Sequence, residues 1–440
     1  MAYLLDYLDT AFSPFEDAPL NALDAAALTQ FAMVRGGEVI PPLRERASFA
    51  DVRTAVRNAL APQGRPAHFR DLLRAEDFPV MFTGLDPDQI KRNLFALAAS
   101  PRFRAMTARD YLSLFDRERE TQFAAVTLVH RRSFAFIGFR GTDTSRTGWK
   151  EDFNMTFSAP VPAQEQAVRY LEAVAPHLPR RLYLGGHSKG GNLAEYAALK
   201  ASPAVQKRIE RVFILDGPGF KDGLFGPEDY APVVDRMHKV VPEDSLVGML
   251  LESAAPLRAV PSNAKGVAQH SVFTWEVNEA GDDFAYLDEL PAATRDTAAV
   301  MREWLARYDD AERQHVVEAL FRAIDASGAQ DAQELLAGGP HALSLLSAAA
   351  LRADGPDRAT VADAVRGYLE VAAGHTAANA GHAVRDAAIT AQAVGEVVGE
   401  MIGEAVGSAI NQVQSGSGRT PKSRPKPRRS LPSEDEPARR

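Results

Sequence analysis

The sequence contains no cysteine among its 440 residues. This absence excludes disulfide bonds, thiolate metal sites and cysteine nucleophiles, and it fits a reducing compartment. No uncharged apolar run approaches the ~18 residues expected of a membrane span. The opening MAYLLDYLDTAF also lacks the basic stretch of a secretory signal peptide. We therefore expect a cytoplasmic protein.

The chain also lacks an excess of positive charge. Its net charge is −8 and its pI is about 5.8, which argues against a nucleic-acid binder. The hydrophobic fraction of 45% is ordinary for a globular protein, and the length suits one large domain with an appendage. A core of that size can hold a catalytic site rigidly.

The hydrophobic pattern divides the chain into four regions. Residues 1–120 are predicted to be a helical N-terminal part of the main domain, because apolar residues recur at spacings of three and four. In residues 121–285, β-rich runs alternate with helical stretches, which predicts a mainly parallel sheet with helices on both faces. Residues 286–412 are predicted to be helical and rich in Ala and Gly, and residues 413–440 to be a disordered basic tail.

The predicted core begins with a hairpin that turns at Arg131-Arg132. Its two strands are residues 122–130 and 133–139. Further strands are predicted at 181–184, 212–215, 238–241 and 271–277, and helices at 163–174, 193–201 and 246–252.

A glycine stripe marks the end of the helical C-terminal region. Gly395, Gly399, Gly403 and Gly407 would lie along one side of a helix spanning residues 376–412. Glutamates recur at the same interval, which argues against a helix that spans lipid. We expect a surface or linker helix, with self-association or membrane-surface contact as the alternative. The oligomeric state stays open.

The strongest local signal is the G-x-S-x-G sequence from Gly186 to Gly190. A predicted strand precedes it and an amphipathic helix follows it, as in the nucleophile elbow of α/β-hydrolases. A sharp turn there exposes the Ser188 hydroxyl, and the backbone N–H of Lys189 can face a developing oxyanion. Without these flanking elements the short pattern would be weak evidence, since it also arises by chance.

A nucleophilic serine needs a histidine base and an acid that orients the base. Among the histidines after Ser188, His270 is favoured because it lies in a loop that leads into a predicted strand, whereas His238 lies inside a strand. Asp244 is the preferred acid, since it ends the strand before the one that follows His270. Asp216 is the alternative acid and Glu243 a further one, although aspartates at strand ends are also common turn residues.

The oxyanion needs a second donor from an earlier strand end. Thr142 follows such a strand, directly after Arg140-Gly141, and offers both a backbone N–H and a hydroxyl. A polar turn after the hairpin is the alternative interpretation of the same residues.

Several short segments carry a distinctive combination of residues. They are Asp6-Tyr-Leu8, Asn21-Ala-Leu-Asp24, Ser100-Pro-Arg-Phe103, Phe139-Arg-Gly-Thr-Asp143, Trp149-Lys-Glu-Asp-Phe-Asn154, Gly186-His-Ser-Lys-Gly-Gly-Asn-Leu-Ala194 and Asp216-Gly-Pro-Gly-Phe220. Together, over roughly residues 1–280, they resemble a bacterial family of uncharacterised α/β-hydrolases related to the class 3, or fungal-type, lipases.

The resemblance implies an α/β-hydrolase fold, with a helical N-terminal cap and a helical C-terminal extension around the mainly parallel sheet. It implies Ser188 as nucleophile, His270 as base, Asp244 as acid and Thr142 as the oxyanion position. Lys189 departs from the class 3 pattern, which usually has leucine or another uncharged residue there, and a lysine side chain would favour a charged or polar substrate. No metal or cofactor is implied.

The sequence therefore predicts a serine esterase or lipase-like hydrolase that acts on an acyl-ester or lipid substrate. The alternative is a non-catalytic binding or scaffold protein on the same fold, because a fold alone does not establish activity. The two differ in whether Ser188, His270 and an acid come together in space.

Overall fold

The computed structural model describes residues 1–44, 64–82, 86–143, 145–326 and 355–378, and these residues contain one eight-stranded sheet. The strands are β1 (Ala67–His68), β2 (Met106–Asp116), β3 (Thr121–His130), β4 (Phe134–Phe139), β5 (Arg181–His187), β6 (Ile209–Leu215), β7 (Met237–Pro242) and β8 (Leu257–Val260).

The sheet has an antiparallel half and a parallel half, and the order of its strands follows the chain. Strands β1 to β4 pair antiparallel, and β4 to β8 pair parallel. Because parallel neighbours end at the same edge, the loops after β4, β5, β6 and β7 all lie at one edge of the sheet. The fold is that of an α/β-hydrolase, with a mainly parallel sheet flanked by helices.

Helices lie before, between and after the strands. They are α1 (Leu4–Thr10), α2 (Ala22–Phe31), α3 (Phe78–Met81), α4 (Pro87–Ala99), α5 (Arg146–Asn154), α6 (Pro162–Val174), α7 (Lys189–Lys200), α8 (Pro203–Gln206), α9 (Pro227–Tyr230), α10 (Ala292–Ala306), α11 (Asp310–Ala326) and α12 (Gly355–Ala378).

Alternate residues of the strands point into two separate cores. In β4, Phe134 and Phe136 join the core formed with α1, α2 and α4, whereas Ile137 and Phe139 join the core formed with α6 and α7. This two-residue alternation is the pleat of a strand buried on both faces. The N-terminal helices therefore close one face of the sheet, and every residue of α2 is buried.

A buried ion pair fixes the N-terminal helices to one another. The Arg102 Nη2 lies 2.5 Å from the Asp24 Oδ2, and both side chains are almost fully buried. Asp24 also accepts the Tyr7 hydroxyl at 2.6 Å and caps the start of α2 at Asn21. The N-terminal segments that carry the family resemblance thus meet at one structural contact, which stabilises the scaffold behind the sheet.

The predicted hairpin and several of the strands and helices predicted after it are confirmed. The hairpin is β3 and β4, the strands at 181–184, 212–215 and 238–241 are parts of β5, β6 and β7, and the helices at 163–174 and 193–201 are α6 and α7. The described part of residues 286–412 contains α10, α11 and α12.

Three predictions of secondary structure are wrong. Residues 106–116 form β2 within the region predicted to be helical, where a bulge between Arg109 and Leu112 interrupts the two-residue alternation. Residues 271–277 form a 3₁₀ turn and isolated bridges instead of a strand. The predicted helix at 246–252 reduces to a 3₁₀ turn at Val247–Met249.

The glycine stripe and the basic tail, residues 395–440, lie outside the described residues, so their predicted roles stay predictions. Within the described ranges, no helix combines the length and the hydrophobicity that a membrane span requires.

Candidate active site

Ser188 lies at a strained turn between β5 and α7. Its backbone has φ 58° and ψ −131°, a conformation that costs energy for a residue with a side chain and is typical of the nucleophile elbow. The Ser188 N–H donates to the Leu215 carbonyl at 2.9 Å, which fixes the turn to the end of β6. The side chain is partly exposed, so it is open to a substrate.

Two glycines allow this turn to pack. A Cβ on Gly186 would lie 2.0 Å from the backbone of Gly190, and a Cβ on Gly190 would lie 2.3 Å from the Phe139 carbonyl oxygen. Neither contact is possible for a larger residue. The spacing of the G-x-S-x-G sequence therefore reflects close backbone packing between β5, α7 and the end of β4.

His270 forms a short hydrogen bond with Asp216. The His270 Nδ1 lies 2.6 Å from the Asp216 Oδ2. His270 ends a 3₁₀ turn, Gly266–His270, and 11% of its side chain is exposed. With Nδ1 bonded to a carboxylate, Nε2 is the nitrogen available to exchange a proton. This is the arrangement of a base and its orienting acid.

Asp216 is fixed from several directions. It follows β6 at φ 44° and also accepts hydrogen bonds from the Ser245 hydroxyl at 2.5 Å and the Gly248 N–H at 2.9 Å. Burial alone would raise the pKa of Asp216, but the hydrogen bonds from His270 and Ser245 outweigh it and hold the pKa below its usual value. The carboxylate is therefore charged at neutral pH.

The prediction that Asp244 contacts His270 is wrong. The Asp244 side chain is exposed, and its backbone N–H donates to the Gln269 Oε1 at 3.1 Å. The reason lies in the register of the sheet: Leu215 pairs with His187, so Asp216 follows directly beside Ser188. Asp244 follows β7, one strand further from the elbow.

Glu243 is not the acid either. Its side chain accepts the Ser262 N–H at 3.4 Å, and its carbonyl oxygen accepts the Thr294 hydroxyl. His238, which the sequence placed inside a strand, lies in β7 and bonds the Tyr286 hydroxyl at 2.8 Å. These contacts are structural.

His187 connects the elbow to the proposed base. Its Nε2 lies 2.6 Å from the His270 carbonyl oxygen, and the two rings are 4.5 Å apart at their centroids. Burial and the neighbouring His270 lower the pKa of His187 to about 3, so the ring is neutral and its Nε2–H donates. His270 is thereby held next to the residue that precedes Ser188.

Thr142 lies on the other side of the nucleophile, at the end of β4. A Cβ on the preceding residue, Gly141, would lie 2.7 Å from the His187 carbonyl oxygen and 3.6 Å from the Ser188 Cβ, so this loop touches the elbow. The Thr142 Oγ1 donates to the Asp152 Oδ2 at 2.5 Å. The structure thus places both predicted oxyanion residues, Thr142 and Lys189, beside Ser188.

The Lys189 side chain does not enter the substrate side of the site. Only 1% of it is exposed, and its Nζ lies 3.0 Å from the Glu151 Oε2, 3.6 Å from the Asp152 Oδ1 and 2.9 Å from the Gln122 carbonyl oxygen. Burial would lower the pKa of Lys189, but the two carboxylates raise it above its usual value. The expectation that this lysine selects a charged or polar substrate is therefore wrong.

Sequence reasoning missed His187, Ser245, Glu151 and Asp152. For the two acidic residues a signal existed. A lysine next to a buried turn requires anionic partners, and Trp149-Lys-Glu-Asp-Phe-Asn154 offers them just after the oxyanion loop. Ser245 bonds Asp216 and His187 bonds the His270 carbonyl oxygen, and both contacts depend on the geometry of loops. No spacing in the sequence predicts them.

The other segments of the family pattern also meet at this edge. Asn192 in α7 accepts from Gln164 and donates to the carbonyl oxygens of Pro218 and Gly219. Arg140 donates to the carbonyl oxygens that end α2. Asn192 thus ties the helix after the elbow to the loop that follows Asp216, and Arg140 ties the loop after β4 to the segment that follows α2.

No curated protein matches the chain. Among solved structures, a crystal structure of M37 lipase matches at 15% identity and a TM-score of 0.26, covering 38% of this chain and 62% of the lipase. The chain thus spans less than two thirds of the length of that lipase.

A family model extends the comparison to the sequence itself. The model described as Mbeg1-like matches residues 97–322, which is just over half of the chain. The matched segment contains the end of β4, the elbow, Asp216 and His270, and it includes α5 with its two carboxylates. The chain belongs to the Mbeg1-like family.

Proposed function

We propose that this protein is a serine hydrolase that cleaves carboxylic esters of acyl or lipid substrates through an acyl-enzyme. One observation carries the proposal: a strained, partly exposed Ser188 and a His270–Asp216 pair with a 2.6 Å hydrogen bond lie at the same edge of the sheet. Strain of this kind is retained where the surrounding structure needs it, which is most often a functional site.

The residues supply each step of an acyl transfer. The Ser188 Oγ attacks the ester carbonyl carbon, and its proton moves to the His270 Nε2. The backbone N–H groups of Thr142 and Lys189 stabilise the oxyanion. His270 then gives the proton to the leaving alcohol as its C–O bond breaks, which leaves the acyl-enzyme. A water molecule gives a proton to His270 and attacks the acyl carbon, and His270 returns that proton to the Ser188 Oγ as the carboxylic acid leaves. Asp216 stays charged and stabilises the imidazolium.

The Lys189 ammonium points into the interior, so it places no positive charge on the substrate side of the site. An uncharged acyl ester fits this better than an anionic one. A cytoplasmic location and a membrane-surface contact through residues 376–412 stay proposals that rest on the sequence alone.

A non-catalytic ligand-binding protein is the second candidate. Within the part of the chain that the structure describes, the Ser188 Oγ makes no hydrogen bond to His270, whose Nδ1 bonds Asp216. Catalytic hydrogen bonds are, however, often long before a substrate binds, so the choice depends on reactivity.

A fluorophosphonate probe tests the proposal, because it reacts with activated serines. We expect the wild type to be labelled at Ser188 and Ser188→Ala to be unlabelled. Ser202→Ala is the matched control, because Ser202 follows α7 where Ser188 precedes it, and its hydroxyl donates to Glu172. A panel of p-nitrophenyl esters of increasing chain length then gives the preferred acyl group.

Two results would contradict the proposal. Equal labelling of the wild type and Ser188→Ala would show that the probe reacts elsewhere. The second result is a wild type that is not labelled but binds a fatty acid or ester without turnover. If Ser188→Ala binds the same ligand with the same affinity, the ligand-binding protein is favoured.

A further inference from the structure

A buried ammonium lies directly behind the proposed nucleophile, and the reaction described above uses only the backbone of its residue. Moving a charged lysine out of water costs free energy unless anionic partners compensate it. Lys189 has two such partners in α5 and a carbonyl oxygen in β3. The chain retains this costly arrangement at the residue next to Ser188, which calls for a function.

Asp152 links the Lys189 ammonium to Thr142. One carboxylate oxygen, Oδ1, faces the Lys189 ammonium at 3.6 Å. The other, Oδ2, accepts the Thr142 hydroxyl at 2.5 Å. The same carboxylate therefore joins the first residue of α7 to the loop after β4, and these are the two sources of oxyanion donors.

Glu151 anchors the start of this chain of contacts. Its Oε2 accepts the Gln122 N–H at 2.9 Å as well as the Lys189 ammonium, and its Oε1 accepts the Ala163 N–H at 3.0 Å. The side chain is fully buried. Helix α5 is thereby fixed to β3 and α6, so the position of Asp152 is set by the fold and by Lys189 together.

We propose that the Lys189 side chain is a positioning group for the oxyanion hole, because its ammonium holds Asp152 against the Thr142 hydroxyl. Lys189 therefore supplies one oxyanion donor through its backbone N–H and fixes the second donor, Thr142, through its side chain. The inference rests on the proposed serine hydrolase function. Without the ammonium, Asp152 loses its cationic partner and the Thr142 loop loses the carboxylate that orders it.

The proposal predicts an effect on the chemical step. Donors of an oxyanion hole act on charge that develops in the transition state, so a displaced donor lowers kcat and leaves KM nearly unchanged. Removing a donor outright costs about 10²–10³ in kcat. A donor that is displaced but still present should lower kcat by less, about tenfold.

A double-mutant cycle between Lys189 and Thr142 tests it. Their side chains are linked through Asp152, and Thr142→Val removes the hydroxyl while keeping the backbone N–H. We expect Lys189→Met to slow fluorophosphonate labelling of Ser188 and to lower kcat for a p-nitrophenyl ester. In the Thr142→Val background, the same change should have little further effect.

Lys150→Met is the matched control, because Lys150 precedes Glu151 in α5 and pairs with Glu120 outside the site. Its labelling rate should equal that of the wild type. If Lys189→Met does not fold, Glu151→Gln/Lys189→Met takes its place, because it removes one charge of each sign.

Three outcomes overturn the inference. Equal fold losses from Lys189→Met with and without Thr142→Val would mean that the lysine does not act through Thr142. An unchanged labelling rate in folded Lys189→Met would mean that it has no positioning effect. A wild type that is not labelled at Ser188 would overturn the proposed function itself. This outcome is distinguished from the other two by labelling the wild type before any variant is compared.

Discussion

Two carboxylates flank the proposed nucleophile, and their pKa values shift in opposite directions. Asp216 is almost fully buried, yet its pKa is lowered, because His270, the Ser245 hydroxyl and the Gly248 N–H all donate to it. Desolvation raises the pKa of Asp152 to about 6, because the Lys189 ammonium and the Thr142 hydroxyl offset it only in part. Depth of burial does not explain this difference.

The number of donors explains it better. Asp152 accepts one hydrogen bond, from Thr142, and it shares the Lys189 ammonium with Glu151. A carboxylate stays charged in a protein interior when several donors replace its lost water. The Asp216 side of the site is therefore suited to stabilise a positive charge on the base, whereas the Asp152 side is close to titration and depends on its neighbours.

The largest expected effect separates the two acids that follow parallel strands. Asp216→Asn should lower kcat by about four orders of magnitude, as the loss of the orienting acid does in serine proteases. Asp244→Asn is the control, because its carboxylate is exposed. Steady-state turnover of a p-nitrophenyl ester measures both. An active Asp216→Asn beside an inactive Asp244→Asn would reverse the assignment made from the hydrogen bonds.

A smaller effect should appear in stability on the other side of the nucleophile. Lys189→Met leaves Glu151 and Asp152 without their cation, and breaking a buried pair in this way costs about 3–5 kcal/mol. Urea denaturation should show this loss in the free energy of unfolding. Glu151→Gln/Lys189→Met should recover part of it, since fewer unpaired charges stay buried. A double variant less stable than Lys189→Met would contradict the ion-pair account.

The smallest effect is a difference in pH dependence. Asp152 has a pKa of about 6 in the folded protein, against 3.8 for an ordinary aspartate. Between these values the folded state holds a proton that the unfolded state has lost, so this group makes the protein less stable as pH rises from about 4 to about 6. The charges that face it are Lys189 and Glu151. Asp152→Asn should remove this contribution.

Asp216 should contribute with the opposite sign. Its pKa is lowered in the folded protein, so the stability that it provides is present above about pH 4 and is lost as the pH falls. Urea midpoints of the wild type, Asp152→Asn and Asp216→Asn, measured from pH 3 to pH 7, compare the two groups. Parallel curves for the two variants would contradict the opposite shifts.

The sequence was most informative where the chemistry is local. The G-x-S-x-G spacing predicts the elbow because backbone packing at Gly186 and Gly190 tolerates no side chain there. Strand, turn and helix follow one another without interruption, so periodicity places Ser188 correctly. The loop that ends β4 was likewise recognisable, because Thr142 directly follows a strong strand pattern.

The sequence was least informative where distant segments meet. Asp216 and Asp244 both follow strands of the same kind, and a choice based on chain distance to His270 selects the wrong one. The segment after His270 has the residue pattern of a strand, but it forms a 3₁₀ turn and single bridges. Its residues bridge to Ala2, Ser262 and Phe284 one at a time and do not pair with a continuous strand. Periodicity reports burial, and it does not report which strand is adjacent.

By itself the sequence predicted the hairpin of β3 and β4, the strand, turn and helix around Ser188, and Ser188 and His270 as candidate site residues. These depend on local spacing and on residue types with few alternatives. Tertiary structure decided which aspartate contacts His270 and where the Lys189 ammonium lies. The register of β5 on β6 places Asp216 beside Ser188, and the position of α5 beside β3 lets the Lys189 ammonium point inward to Glu151 and Asp152. Both outcomes depend on which segments lie side by side, and that is set only when the sheet and its helices pack.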